Sequence, residues 1–178
     1  FFFKGDYYMT VKKISLYAIV AAVYVALTLL LASFSFGPIQ VRVAEVLILF
    51  VLFRKDMIWP LTFACLITNF VGVLMGTDII GMMDVLFGTL ASFLSLYFAY
   101  LFRNVLLFNR PILSLMMPVV FNALIVGAML SYIIMPDNFM VGLLINGLQV
   151  GIGEFIAVVI LGLIIYKPFK NFVQNLKA

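Results

Sequence analysis

Four charged side chains lie inside stretches of this 178-residue chain that are otherwise uncharged and apolar: Arg42, Glu45, Asp84 and Glu154. A charge held at membrane depth costs about 2.5–3.5 kcal/mol on insertion scales, so each one asks for a partner or a task. Arg42 and Glu45 are three residues apart and can neutralise each other on one helix. Glu154 has no Lys or Arg near it in sequence, which leaves it a distant partner, a proton or a ligand. Neutral amides extend the set: Asn69, Asn122, Asn146 and Gln149. Asn146, Gln149 and Gly153 recur at spacings of three and four, with Glu154 eight residues after Asn146, and so lie along one helix face, and Gly81, Asp84, Gly88 and Ser92 form a second small, polar face. Gly147 and Gly151 on a neighbouring strip permit close helix approach. Turned into a bundle, such faces line a polar cavity; the bland alternative is that the amides are interhelical glue and Arg42 cancels Glu45.

The elements that must position these groups are membrane helices. With 66% hydrophobic residues, 10% charged and a mean hydropathy of +1.27, the chain has too little polar surface to coat a soluble globule. Uncharged runs over Ile14–Val41, Met57–Thr77, Val85–Phe102 and Pro111–Pro136 each supply the roughly 20 apolar residues that a crossing needs. Two further segments carry embedded charge, so six spans are expected, over about 13–34, 38–54, 57–76, 79–102, 112–134 and 142–166. The runs lack the period-2 alternation of a lipid-embedded barrel, so the fold class is an all-α, six-helix membrane bundle, one domain over 1–178.

Ten of the eleven basic residues fall in alternate gaps between the spans. The positive-inside rule then predicts cytoplasmic N- and C-termini and an acidic external face carrying Asp78 and Asp137. This dispersal at helix ends explains the +4 charge without nucleic acid as a partner. The apolar stretch after Lys12 and Lys13 is too long for a cleaved signal peptide and is expected to be a retained first span. Residues 1–8 precede Met9, the expected initiator, and are set apart from the fold argument. A single cysteine, Cys65, and no histidine exclude an internal disulfide and His-rich zinc sites. There is no phosphate-binding loop sequence, so ATP is not hydrolysed by this chain through that motif and no bound cofactor is expected. On the first span Ala18, Ala22 and Ala26 form a small-residue stripe that suits close helix approach, either within the bundle or by a separate subunit.

Taken together, Phe36-Gly37-Pro38-Ile39-Gln40-Val41-Arg42-Val43-Ala44-Glu45, Asp84-Val85-Leu86-Phe87-Gly88-Thr89-Leu90-Ala91-Ser92, Phe121-Asn122-Ala123-Leu124-Ile125-Val126-Gly127 and Gly151-Ile152-Gly153-Glu154 resemble the QueT family. Its members are substrate-binding S components of energy-coupling-factor (ECF) transporters, assigned to queuosine precursors. The resemblance covers essentially Met9 to Tyr166. It implies a pocket opening outward, a bacterial plasma-membrane location, and three partners: the transmembrane coupling subunit EcfT, docked on the alanine stripe, and two cytoplasmic ATPases that use the ATP. The implied ligand is a 7-deazaguanine such as preQ1, preQ0 or queuine. A ring of that kind presents an N1–H and an exocyclic amine that suit a carboxylate, and a carbonyl that suits an amide donor. Glu154 is then expected on the donor edge, Asn122 and Gln149 on the carbonyl or ring nitrogen, and Phe121 or Tyr132 on the ring face. Asp84 or Glu45 would take an aminomethyl cation, and Arg42 would hold Glu45 and the first external loop.

Three other readings share some of these features. An S component for another vitamin-like heterocycle fits the same features. A proton-coupled secondary transporter would use Glu154 or Asp84, but no inverted repeat or pair of broken helices accompanies them. An intramembrane enzyme built on Asp78 and Asp84 lacks any His-assisted serine or metal motif.

Overall fold

The computed structural model describes residues 11–37 and 39–175. Residues 1–8, the expected inner Lys4 and Lys177, and Pro38 at the start of the expected second span lie outside the described residues. Among those described the fold is helical, without strands: α1 (Val11–Leu30), α2 (Val43–Phe53), α3 (Lys55–Leu74), α4 (Asp84–Leu101), α5 (Ile112–Ile134) and α6 (Pro136–Val173). Five are long and apolar enough to cross a membrane, and α2 is shorter.

The shortness of α2 departs from the expectation of a second helix over 38–54, and its geometry gives the reason. The chain leaves a single helical turn at Ala32–Ser35, runs non-helically through residues 39–42, and enters six residues of 3-10 helix followed by five of α-helix. Those eleven residues rise about 20 Å, short of a bilayer core of about 30 Å. The non-helical stretch makes up the difference, and its Gln40 and Arg42 are buried in protein, which is where non-helical backbone is tolerated at membrane depth.

α1 packs on α3 and on α2, α3 on α4, α4 on α5 and α5 on α6, while α2 closes the arrangement between α1 and α6. The closest seam is α5 against α6, where a Cβ on Gly127 would lie 2.6 Å from the Gly147 Cα. Core packing centres on α2, whose Leu49, Phe50, Val51 and Leu52 are buried against Val20 of α1, Leu61 of α3, Leu115 of α5 and Val158 of α6. In lipid such contacts stabilise through close packing rather than through removal from water. The outer surface is correspondingly apolar, with Ile19, Val23, Phe63, Ile67, Leu124, Leu148 and Ile152 exposed.

The basic residues gather at one end of the bundle. Arg54 and Tyr17 both donate to Asp56, at 2.7 and 2.6 Å, tying α1 to the α2–α3 turn. Lys55 and Arg103 lie 5.8 and 3.9 Å from the centroid of the Tyr100 ring, and Arg110 donates to the Leu163 carbonyl at 2.8 Å.

Candidate functional site

Three seats pin the segment that leads into α2. Phe36 packs its ring on Gly72 of α3, where a Cβ would come within 2.7 Å of it. The Gln40 backbone lies on Gly153 of α6, where a Cβ would sit 2.5 Å from the Gln40 carbonyl oxygen. Arg42 donates from Nη2 to Asp84 Oδ2 at 2.6 Å and from Nε to the Ser35 carbonyl at 3.2 Å, with its guanidinium carbon 5.4 Å from the Phe36 ring centroid. The Arg42 and Asp84 side chains are 1% and 0% exposed, so this pair is fully enclosed. The glycines are required here by close approach rather than by backbone angle.

Arg42 therefore pairs with Asp84 and not with Glu45, its neighbour in sequence. Glu45 is held instead by neutral donors, the Tyr24 hydroxyl of α1 at 3.1 Å and the Ser92 hydroxyl of α4 at 3.0 Å. Cys65 donates to that same Ser92 oxygen at 3.2 Å. Asn69 of α3 donates to the Asp84 main-chain carbonyl at 2.9 Å. Gly88, one turn on, leaves the room that the Asp84 carboxylate and the Asn69 amide fill.

Glu154 and Asn122 come together from α6 and α5. The Asn122 amide donates to Glu154 Oε1 at 3.0 Å, while Glu154 Oε2 and the Asn122 carbonyl oxygen are buried without a partner. Gln40 Oε1, Asp84 Oδ1 and Asn69 Oδ1 are buried and unpartnered as well. Buried polar atoms are paired in the great majority of native structures, so such a set marks a site with a further role. The turn that carries Glu45 packs on the turn that follows Glu154, which makes the set one region. Asp84 opens one π-turn, Asp84–Gly88 in α4, and Glu154 immediately precedes another, Phe155–Ile160 in α6. Such turns in a helix frequently occur at functional sites.

The remaining expected residues are dispersed. Gln149 is half-buried on α6, and Phe121 is half-buried with its ring 5.2 Å from that of Phe98. Tyr132 is 64% exposed on an outer groove of about 380 Å³ lined also by Met83, Phe87, Leu124 and Met129, with no carboxylate in its lining. Asn146 donates to Ser131 at 3.1 Å beside the Gly127–Gly147 seam and serves to hold α5 to α6. Ala18, Ala22 and Ala26 are all exposed, so the stripe is not used for packing among the described residues. Sequence reasoning missed Tyr24 and used Cys65 only to exclude an internal disulfide. The signal for Tyr24 was its place with Val20 and Thr28 at intervals of four, the face of α1 that is buried.

Asp78, in the loop before α4, accepts hydrogen bonds from the main-chain N–H groups of Ile80 and Gly81 at 2.9 and 3.3 Å. Burial, with the nearby Asp84 charge adding to it, pushes its carboxyl up to about 6.

A family model described as QueT transporter matches residues 14–171. A curated relative, the "Queuosine precursor transporter QueT" of Lactococcus lactis subsp. cremoris (strain MG1363), is 41% identical over 95 residues, which is 52% of this chain and 49% of the relative. The chain is thus matched to about half the length of that relative, and no solved structure matches it. The family match takes in every helix that contributes a buried charge or amide to the site. The chain belongs to the QueT transporter family.

Proposed function

We propose that this chain is the substrate-binding subunit of an ECF-type importer in the bacterial plasma membrane, with both termini cytoplasmic, and that it takes up a queuosine precursor of the 7-deazaguanine type. The observation that carries the reading is the Glu154–Asn122 pair, enclosed by protein yet left with one carboxylate oxygen and one amide oxygen free. A carboxylate with a free oxygen accepts from the N1–H and exocyclic amine of a guanine-like edge. Asn122 and Gln149 address the rest of that edge, and Phe121, next to Asn122 and tilted against Phe98, is a better ring platform than the outward-facing Tyr132. The Arg42–Asp84 pair serves as a latch that holds residues 36–42 across the site, which leaves Glu45 as a carboxylate held by neutral donors.

Energy comes from partners, the transmembrane subunit EcfT and two cytoplasmic ATPases. The exposed stripe Ala18, Ala22 and Ala26 is the surface offered to EcfT, because small side chains let a second helix approach closely. The test is uptake of a labelled deazaguanine into vesicles. Uptake is expected only when this chain, EcfT and the ATPases are reconstituted together with internal ATP. Uptake driven by a proton gradient in vesicles holding this chain alone would replace the reading with a secondary transporter.

A further inference from the structure

The connection between α4 and α5 contains a tight turn whose residues do not suit it. Leu107 and Arg110 exchange both main-chain hydrogen bonds, N–H to carbonyl, at 2.9 and 3.0 Å. The two residues between them, Phe108 and Asn109, have φ of +53° and +58°, the left-handed region that a two-residue turn of this kind demands of both. Asn109 tolerates that region, but a bulky side chain there is a true outlier. Phe108 gains nothing from the rest of the chain in return, because it is 94% exposed. Val105, Leu106 and Leu107 before it are exposed as well, so four apolar residues in a row are left without packing. A costly backbone conformation that presents an idle aromatic ring points to a contact outside the chain.

Charge and depth identify that contact. Arg103 and Arg110 flank the apolar run, and no Asp or Glu occurs anywhere from Val85 to Pro136. Arg103 donates from Nη1 to the Tyr100 carbonyl at 2.8 Å, and Arg110 from Nη1 to the Leu163 carbonyl at 2.8 Å. Neither forms an ion pair among the described residues, and a guanidinium has further N–H groups that suit a phosphate. Leu163 stands four residues before Lys167, the first basic residue of α6, so the bond from Arg110 sets the base of the turn level with the last apolar turn of that span. Phe108 is two residues from Arg110 and therefore reaches at most about 7 Å from it. The tip lies at the bilayer boundary, where an aromatic ring beside arginines finds apolar chains and anionic headgroups together.

We infer that residues 105–108 form an interfacial anchor, with the Phe108 ring set among the acyl chains at the basic end of the bundle and Arg103 and Arg110 on the phosphates of anionic lipids. Burial of the ring in lipid offsets the cost of the left-handed backbone. The anchor holds the α4–α5 end of the bundle to the leaflet, and it is independent of what the chain transports.

The experiment is fluorescence quenching of the full chain in vesicles of phosphatidylcholine with phosphatidylglycerol. Trp59 is the only tryptophan, so Trp59→Phe combined with Phe108→Trp leaves a single reporter at the tip. Lipids brominated near the headgroup end of their chains are expected to quench it at least about threefold more than acrylamide in the water does. Replacing the phosphatidylglycerol by phosphatidylcholine is expected to raise the acrylamide quenching about twofold, because the arginines lose their anionic partners. Phe108→Gly suits the left-handed turn and is expected to melt in detergent no lower than the native chain. Stronger quenching by acrylamide than by brominated lipid overturns the anchor. So does a reporter that is shielded from acrylamide only after a protein partner is added, which would make the tip a protein contact. Equal quenching with and without phosphatidylglycerol overturns the role of Arg103 and Arg110, and a lowered melting temperature in Phe108→Gly would assign the ring to the chain's own packing and overturn the inference.

Discussion

Two arginine–aspartate pairs of nearly equal length sit in different surroundings, Arg42–Asp84 at 2.6 Å inside the bundle and Arg54–Asp56 at 2.7 Å at its basic end. The first is 1% and 0% exposed and joins residues 42 apart; the second is 21% and 37% exposed and joins residues two apart. Distance alone would rank them together. Burial separates them, because an enclosed charge that loses its partner cannot turn to water, whereas an exposed one can. The outer pair, with Tyr17, fastens a turn. The inner pair fixes which loop lies over which helices, and so shapes the region where Glu154 keeps a free oxygen.

Breaking each pair sharpens the contrast. Arg42→Met leaves Asp84 enclosed and unpaired and is expected to cost about 3–5 kcal/mol. The double change Arg42→Met with Asp84→Leu recovers most of that, as removal of both partners of a buried pair often does. Thermal unfolding in detergent reads both, and a single variant no less stable than Arg54→Met would end the comparison. The next largest effect is at the loop's seat on α6. Gly153→Ala drives a methyl into the Gln40 main chain and is expected to lose about 1–3 kcal/mol of stability, with a matching fall in ligand affinity.

Asp78 supplies a smaller, pH-dependent effect at the outer loop. Its carboxyl stands at about 6, above an ordinary value near 3.8, so the folded protein holds that proton more tightly than the unfolded chain. The associated destabilisation is absent below about pH 4, grows between about 4 and 6, and is fully present above 6. Asp78→Asn keeps an acceptor for the Ile80 and Gly81 N–H groups, and is expected to raise stability at pH 7 by about 1 kcal/mol or less, the group being partly solvated. A pH series of melting temperatures should show the two proteins converging near pH 4. The smallest effect belongs to the exposed pair, where Arg54→Ala is expected to cost under about 1 kcal/mol, shrinking further in high salt.

The helices were legible because uncharged apolar runs of sufficient length have one stable form in lipid, so α1, α3, α4, α5 and α6 follow from the chain directly. α2 was legible as an apolar segment but not as a short 3-10 and α-helical piece, since hydropathy is blind to rise per residue. The polar faces of α4 and α6 could be read from spacing, as Asp84 with Ser92 and Asn146 with Glu154 illustrate. What spacing could not supply was pairing across the bundle. Arg42 looked tied to Glu45 because the two are neighbours in sequence, yet the folded chain brings Asp84 to Arg42 and Tyr24 to Glu45. The alanine stripe was visible as a pattern, but only the exposure of Ala18, Ala22 and Ala26 separates internal packing from a free surface.

The most direct test of the central claim, that the buried polar region is a ligand site and not only a fastening, is ligand-dependent thermal stabilisation of the native chain beside Glu154→Gln. A ligand that binds the folded state at about a hundred times its Kd stabilises it by about 2.7 kcal/mol. The account predicts that a deazaguanine, but not guanine-unrelated vitamins, raises the melting temperature of the native chain, and that Glu154→Gln folds normally and loses the shift. A shift of equal size in Glu154→Gln, or stabilisation of the native chain only by compounds of another class, would contradict it.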